Sequence, residues 1–396
     1  MPKQKQQFKI FMGKGKGKSN WQPMDSILFN IILVLLCYGL IMCFSASAPS
    51  AQQNFGNSYY FFQKQLLMAV VGLVIMIIVS KIDYHKIAGW LPILIAITIV
   101  LLIAVLFFPA QKGGHRWIFV GPISVQPSEL AKFVAILWFA RLLSQQKWHK
   151  ATTSTFFKLY VSEYLKYLLI IVIFAALLML EPHFSCTLLI TGTCMIMLLV
   201  GGSNIGHTII TGLAGVPVLL VLALKGYRGD RIQSWLDPFA NQQGDGWQII
   251  QSLYAIGSGG LFGLGLGQSR QKFLWLPEPY NDFIFAVLCE ELGFIGALSV
   301  IVLFAVLIWR GFMVSRQAPD KLGSYLAFGI TTLISLQVLI NIAVVTSLIP
   351  VTGMPLPFFS SGGTALLFTM GEMGVLLNIS RQADGAEIKQ KKNTHL

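Results

Sequence analysis

The chain has 396 residues, of which 55% are hydrophobic and only 11% are charged, and its mean hydropathy is +0.68. Soluble globular proteins are far less apolar, so the composition excludes a soluble enzyme and indicates a membrane protein with many spans. The formal net charge is +13. No basic stripe interleaved with aromatic residues accompanies it, and we therefore attribute the charge to membrane topology and lipid attraction, with no nucleic acid as a partner.

Apolar runs of near-spanning length recur along the whole chain. They cover residues 27–44, 66–80, 91–108, 130–143, 168–180, 187–200, 208–224, 283–308, 325–349 and 365–379. The sixth and seventh runs are short and closely joined, so they could cross the membrane as a hairpin or fold back together. We predict an all-α polytopic membrane protein with about ten transmembrane helices.

The distribution of Lys and Arg predicts the orientation of these spans. With the N-terminus in the cytoplasm, 20 of the 29 basic residues fall on the cytoplasmic side and eight on the outer side. Residues 1–23 then form a basic cytoplasmic tail, residues 24–381 the transmembrane domain and residues 382–396 a second cytoplasmic tail. Residues 225–282 form one long outer-face loop between the seventh and eighth spans.

The long loop is expected to be functional, because long ordered loops on compact folds usually carry function. Its segment 257–267 contains six glycines. A nucleotide-binding turn would have to follow a strand and open a helix in a βαβ unit, which the sequence does not predict. We interpret the glycine segment as a flexible or tightly turned re-entrant loop, with backbone N–H groups offered to a phosphate as the less favoured alternative.

Charged residues cluster where this loop returns to the membrane. Lys272, Glu278 and Asp282 precede the eighth span, where a carboxylate is costly to desolvate unless it has a partner or a chemical task. Asp282 directly precedes the apolar run 283–308. Two interpretations are therefore open for its side chain: it caps the eighth helix, or it serves a reaction.

A second outer-face cluster surrounds the start of the fourth span. Arg116 and Trp117 lie in the preceding loop, and Glu129 and Lys132 lie three residues apart at the start of the helix. That spacing places Glu129 and Lys132 on one helix face. They could form a mutually neutralising ion pair, or Lys132 could join Arg116 in accepting an anionic lipid head group.

A third cluster occupies residues 350–364, between the last two spans. Three prolines and three glycines preclude a continuous helix there, so the segment either lines a cavity or is a simple kinked connector. Ser360 supplies a hydroxyl suited to binding a sugar or a phosphate. No partnered His accompanies it, so the cluster does not form a nucleophilic triad.

Taken together, the three clusters closely resemble motifs of the SEDS family, the membrane-embedded peptidoglycan glycosyltransferases typified by FtsW, RodA and SpoVE. The motifs are Gly114-His-Arg-Trp117 with Gln126-Pro-Ser-Glu129, Gln251-Ser-Leu-Tyr-Ala-Ile-Gly257, Leu276-Pro-Glu-Pro-Tyr-Asn-Asp-Phe-Ile-Phe285 with Glu290-Glu-Leu-Gly293, and Pro350-Val-Thr-Gly353 with Ser361-Gly-Gly363. The resemblance runs from the first span to about Arg381. The form Gly265-Leu-Gly-Gln-Ser-Arg-Gln-Lys272 is more similar to the FtsW and SpoVE branch than to RodA.

This resemblance implies that lipid II is polymerised into glycan strands on the outer face of the bacterial cytoplasmic membrane, for cell division. Undecaprenyl pyrophosphate would be the leaving group, and a class B penicillin-binding protein and divisome proteins would be partners. Asp282 would accept or orient the proton of the attacking hydroxyl. Arg116, Lys132 and Lys272 would stabilise the departing pyrophosphate, and Glu278 would orient Lys272 or a metal.

The donor carries its own leaving group, so no organic cofactor is expected, whereas a divalent cation such as Mg²⁺ or Mn²⁺ is compatible with a pyrophosphate.

The chain departs from the family in having Glu181-Pro-His183 where a Pro-Asp pair is usual, and Tyr280-Asn281 where His-Thr is usual. A lipid II flippase or other transporter is the alternative function, although a transporter would hold its ionisable residues nearer the bilayer midplane. A division-complex scaffold is a third class.

Overall fold

The computed structural model describes residues 23–110, 114–120, 123–149, 152, 154–224, 227–240, 244, 246–273 and 275–393. Apart from its last residue, the predicted cytoplasmic tail at residues 1–23 lies outside this part of the chain, as do the last three residues of the predicted tail at 382–396. Within the described residues the fold is helical, with one small β-hairpin, which confirms the predicted all-α class.

The elements follow one another along the chain in a simple order. They are α1 (Ser26–Phe55), α2 (Tyr60–Val79), α3 (Tyr84–Gly89), α4 (Leu91–Ala104), β1 (Ile118–Val120), β2 (Ile123–Val125), α5 (Pro127–Gln145), α6 (Phe156–Leu159), α7 (Leu165–Leu180), α8 (Phe184–Val200), α9 (Ile205–Leu224), α10 (Tyr227–Leu236), α11 (Gly246–Gly259), α12 (Ile284–Gln317), α13 (Lys321–Val345) and α14 (Gly363–Asn393). A π-helical turn, Tyr160–Tyr164, joins α6 to α7.

Each of the ten predicted spans falls on one of these helices. Among the described residues, six helices are long and apolar enough to cross a membrane, and the shorter apolar helices include α8 and the first part of α9. Helix α5 is not among the six, although it has 19 residues, because it carries Glu129, Lys132 and Arg141. The chain is therefore a multi-pass membrane protein, and the count of about ten spans stays a prediction.

Helix α5 lies at the centre of the bundle. It packs against α4, α8 and α13, while α14 packs along α2 and α13 packs along α12. Its middle turns are almost entirely buried, from Ala131 to Ala140 on the inward face. A short antiparallel hairpin, with Ile118 opposite Val125, precedes it. The hairpin and the buried helix together fix the cluster of Arg116, Trp117, Glu129 and Lys132 at one end of the bundle.

The long helix α12 is interrupted at Gly293, where φ is 64° and ψ is −165°. Such a break releases backbone groups that must find partners away from water. The glycine segment supplies them: Leu264 N donates to Glu290 O at 2.9 Å, and Phe294 N donates to Gly260 O at 2.9 Å. The predicted tight turning of the glycine segment is thus confirmed, and its N–H group at Leu264 is bonded to protein.

Glycine is required at the closest point of this contact. A Cβ at Gly259 would lie 1.9 Å from the carbonyl oxygen of Cys289, and one at Gly263 would lie 2.2 Å from that of Glu291. Gly263 also has a φ of 80°, which side chains with a Cβ rarely adopt. Gly259 and Gly263 therefore serve close backbone packing against the break in α12.

Candidate active site

A cavity of about 170 Å³ opens where the three sequence clusters meet. Seven of the eight predicted site residues line it, and they are Arg116, Trp117, Glu129, Lys132, Glu278, Asp282 and Ser360. These residues come from the β-hairpin region, from α5, from the turn before α12 and from the segment before α14. Residues more than 200 positions apart in the chain thus form one polar site.

The turn that carries Asp282 is held by backbone contacts on two sides. Ser360 Oγ donates to the carbonyl of Asn281 at 2.6 Å, and Ser361 N donates to the carbonyl of Tyr280 at 2.8 Å. From α13, Asn341 Nδ2 donates to the carbonyl of Asp282 at 2.9 Å. The hydroxyl of Ser360 is therefore engaged in positioning the turn, and the backbone from Tyr280 to Asp282 is held by these three bonds.

Asp282 is not the cap of α12, so that interpretation is wrong. The helix begins at Ile284, and its N-cap residue is Phe283, which makes no side-chain capping bond. The Asp282 carboxylate instead lies beside Gly353, where an added Cβ would be 3.4 Å from Oδ2. Gly353 has a φ of 71°, and this turn brings the backbone of the 350–362 segment against the carboxylate.

Glu129 and Lys132 form the predicted ion pair, and anion binding by Lys132 stays a prediction. Lys132 Nζ lies 2.8 Å from Glu129 Oε2, and the two residues are only 4% and 5% exposed, respectively. Both nevertheless line the cavity. Glu372 on α14 is buried and interacts electrostatically with both of them. A buried pair of this kind stays charged only because each partner compensates the other.

The turn between α7 and α8 contacts Arg116, one of the two cations that line the cavity. Arg116 Nη2 donates to the carbonyl of Pro182 at 2.6 Å. Burial raises the pKa of the Glu181 carboxyl to about 8, against the lowering effect of the Arg116 guanidinium. Burial, Arg116 and Lys132 together lower the pKa of the His183 imidazole to about 3. His183 therefore enters the cavity as a neutral group.

Lys272 does not join this cavity, and the expectation that Glu278 orients it is wrong. Lys272 Nζ lies 2.7 Å from Glu291 Oε1 and 3.2 Å from Ser45 Oγ, at the break in α12. It lines a separate cavity of about 690 Å³ between α1 and the glycine segment. Glu278 instead accepts a hydrogen bond from Asn281 Nδ2. The spacing of charges along a loop could not reveal which way each side chain turns.

Metal binding stays a prediction at this site. Among the residues that the structure describes, no three His, Cys, Asp or Glu side chains group in a way that could hold a metal ion. Mg²⁺ is usually bound by only one or two carboxylates together with substrate phosphates. Asp282 and Glu278 could supply those carboxylates, and the metal would then offset charge on the pyrophosphate.

Several residues of the cavity wall escaped the sequence analysis. His183, Cys186, Gln126 and Asn281 all line it, and none was a candidate. Asn281 could have been predicted from its position next to Asp282. Gln126 could have been predicted from its place in the Gln-Pro-Ser-Glu motif. His183 had a weaker signal, as a departure from the family pattern, and Cys186 had none, because it follows the turn as one apolar residue among many.

A family model described as "Cell cycle protein", FTSW_RODA_SPOVE, matches residues 25–385. The chain belongs to the FtsW/RodA/SpoVE family. It is 45% identical over 363 residues to stage V sporulation protein E of Bacillus subtilis, covering 90% of this chain and 97% of that protein. It is 36% identical to a probable peptidoglycan glycosyltransferase FtsW of Trichlorobacter lovleyi, covering 90% and 93%.

Solved structures of the FtsW/RodA/SpoVE family share the fold. One belongs to a peptidoglycan synthase complex that coordinates polymerization and crosslinking, with a TM-score of 0.75, 25% identity, and coverage of 92% of this chain and 99% of that one. Another is the rod shape determining protein RodA of Thermus thermophilus, with a TM-score of 0.67, 24% identity, and coverage of 92% and 99%. The bundle described above is thus the fold of this family.

Proposed function

We propose that this chain is a peptidoglycan glycosyltransferase that polymerises lipid II on the outer face of the bacterial cytoplasmic membrane. The observation that carries the proposal is the meeting of the Asp282 carboxylate with the cations Arg116 and Lys132 in a single cavity. Relatives that are 34–37% identical are named probable peptidoglycan glycosyltransferase FtsW, which supports the same activity here.

The reaction needs two kinds of group, and the cavity holds both. The 4-hydroxyl oxygen of the acceptor sugar bonds to the anomeric carbon of the growing chain, while the bond from that carbon to the pyrophosphate oxygen breaks. Asp282 takes or orients the hydroxyl proton. Arg116 and Lys132 stabilise the undecaprenyl pyrophosphate that leaves with the electron pair. Trp117 forms part of the cavity wall. Ser360 fixes the turn that carries Asp282.

The experiment is a polymerisation assay with purified, detergent-solubilised protein and lipid II as the only substrate. Glycan strands should form, and their yield should rise when the cognate class B transpeptidase is added. A flippase would leave lipid II unpolymerised yet move it across the bilayer of proteoliposomes. Transport without polymerisation, with and without the transpeptidase, would overturn the proposed function in favour of the transporter.

We further propose cell division as the process and divisome proteins as the wider partners. The family description as cell cycle proteins and the FtsW relatives support this choice. Depletion of the protein should then give filamentous cells with unfinished septa, whereas a role in elongation would give rounded cells. Rounded cells on depletion would contradict the division assignment while leaving the glycosyltransferase activity untouched.

The proposed orientation places α10 and the site outside and both termini in the cytoplasm. In a variant that lacks the native cysteines, Ala240→Cys in the outer loop should react with an impermeant maleimide in intact spheroplasts. Lys147→Cys, between α5 and α6, should react only after lysis. Both residues are exposed. The reverse labelling pattern would place Asp282 on the cytoplasmic side and exclude an outer-face polymerase.

The pair Glu129 and Lys132 gives a prediction that separates structure from substrate binding. The charge swap Glu129→Lys with Lys132→Glu preserves an attractive pair at i and i+3, so the swapped protein should fold. It should still lose most polymerisation, because the cation moves away from its place in the cavity. Thermal unfolding in detergent checks the fold, and the lipid II assay checks activity. Polymerisation at the native rate would leave only a structural role for the pair.

A further inference from the structure

His183 occupies a fixed position in the cavity wall. It precedes α8, where its N–H donates to the carbonyl of Leu178 at 2.9 Å and its own carbonyl accepts from Thr187 N at 3.2 Å. The residue is only 9% exposed, and its ring lines the candidate site beside Arg116 and Lys132. These contacts hold the backbone of His183 and use neither ring nitrogen.

The ring nitrogens of His183 have no hydrogen-bond partner among the described residues. Nδ1 is fully buried and unpaired, so Nε2 is the nitrogen left to face the cavity. Nε2 is not among the fully buried atoms, so it keeps access to the cavity that His183 lines. The imidazole is thus a nearly buried polar side chain that protein groups leave unsatisfied, and such a group calls for an explanation, such as a ligand that is bound during function. A cavity-lining imidazole with an open Nε2 therefore points to a polar group of the substrate.

The character of that polar group follows from the neighbouring charges. Burial and the cations Arg116 and Lys132 keep the His183 imidazole uncharged, with its pKa lowered to about 3. An uncharged ring adds little to the binding of a pyrophosphate that two cations already surround, since charge-assisted bonds are the strong ones there. It is well suited to a neutral partner, such as a sugar hydroxyl or an acetamido group.

We propose that His183 contacts the sugar of the lipid-linked substrate, with Nε2 hydrogen-bonded to a hydroxyl or acetamido group. This inference rests on the proposed glycosyltransferase function and assigns a division of tasks within its site. Arg116 and Lys132 bind the pyrophosphate, Asp282 faces the attacking hydroxyl, and His183 positions the sugar between them. His183 is therefore a residue for sugar recognition.

The test is equilibrium binding to the full-length Asp282→Asn protein, which prevents turnover during the measurement. In this background, His183→Leu should weaken the binding of lipid II about threefold to tenfold, the effect of losing one hydrogen bond. Undecaprenyl pyrophosphate lacks the sugars, so its affinity for the protein with both substitutions should lie within about twofold of its affinity for the Asp282→Asn protein.

Two conservative variants identify the nitrogen that acts. His183→Gln places an amide near the position of Nε2 and should retain lipid II binding, whereas His183→Asn reaches only the position of Nδ1 and should behave like His183→Leu. The Gln and Asn variants differ from each other by only one methylene group. Their comparison therefore tests the proposal even if the Leu variant fails to fold. His149→Leu, on an exposed His that pairs with Glu163, is the histidine control and should change neither affinity.

The outcomes separate this inference from the function on which it rests. Native lipid II affinity in both His183→Leu and His183→Asn, or an equal loss for lipid II and undecaprenyl pyrophosphate, would overturn the role of His183 in sugar recognition. Polymerisation by the wild-type protein would stand in either case. A wild-type protein that neither binds nor polymerises lipid II would overturn the proposed function itself, and this inference with it.

Discussion

The substitution Asp282→Asn is expected to abolish lipid II polymerisation while the protein inserts, folds and binds its partner normally. A positioned general base contributes about 10²–10⁴-fold to a rate, and an amide cannot accept the proton of the attacking hydroxyl. The backbone bonds that fix the turn, from Asn341 and Ser360, do not involve the carboxylate. The purified variant should therefore lose at least about a hundredfold in glycan synthesis, measured with lipid II as substrate.

The matched control for this prediction is Asp237→Asn. Asp237 lies in the same long loop, is exposed, and accepts a hydrogen bond from Ala240 N at 3.1 Å. It is not part of the candidate cavity, so its amide variant should polymerise lipid II at the native rate. Near-native synthesis by Asp282→Asn would remove the catalytic role from Asp282, and because the N-cap position of α12 is held by Phe283, no capping role would remain to explain Asp282.

The second large effect is expected at the break in α12, on stability. Lys272 and Glu291 are 3% and 0% exposed and lie 2.7 Å apart, so removal of either charge leaves the other buried and unpaired. Lys272→Met or Glu291→Leu alone should lower the free energy of unfolding by about 3–5 kcal/mol. Denaturation by SDS, followed by tryptophan fluorescence, measures that change.

The double variant, Lys272→Met with Glu291→Leu, should recover most of the loss, because apolar residues of similar volume often replace a buried ion pair without cost. Ser45 Oγ, which donates to Glu291 at 2.6 Å, can turn to a backbone carbonyl of α1 instead. As a comparison nearer the surface, Glu163→Gln breaks the pair with the exposed His149 and should cost less than about 1 kcal/mol. A double variant as unstable as either single variant would contradict the ion-pair explanation.

These two predictions divide the charged residues of the long loop into separate tasks. The ion pair of Lys272 and Glu291 anchors the start of the loop segment that runs from Lys272 to Asp282. Glu290 adds to this anchor, because it accepts hydrogen bonds from Ser269 Oγ at 2.5 Å and from Arg270 N at 2.9 Å. The segment before α14 anchors its end. The carboxylate of Asp282 is thus carried by a loop that is fixed at both ends, which suits a group that must meet a hydroxyl at a set distance.

The sequence alone was sufficient for the helical class and for seven of the residues that line the cavity. Apolar runs report burial in lipid directly, and the motifs around Arg116, Glu129 and Asp282 were distinctive enough to predict a shared site. The sequence could not assign a partner to Lys272, because charged residues four to ten positions apart in a loop have no fixed angular relation, unlike those on a helix. The pairing of Lys272 depends on a buried Glu291 that looked like part of a continuous span.

Two further features were missed for local reasons. The hairpin of β1 and β2 has three-residue strands, which are too short to give a recognisable alternation of polar and apolar residues. The break in α12 was hidden because a single glycine, Gly293, is tolerated within a helical pattern. Its signal lay in the combination of that glycine with the adjacent Glu290 and Glu291, which a lipid-facing helix would not carry.

The most direct test of the whole account is an experimental structure of the Asp282→Asn protein with lipid II bound. We expect the sugar in the cavity of about 170 Å³, with an acceptor hydroxyl about 2.6–3.2 Å from the side chain at position 282, and the pyrophosphate beside Arg116 and Lys132. Lipid II bound with its sugar and pyrophosphate in the larger cavity lined by Lys272, or at any site away from position 282, would contradict the account.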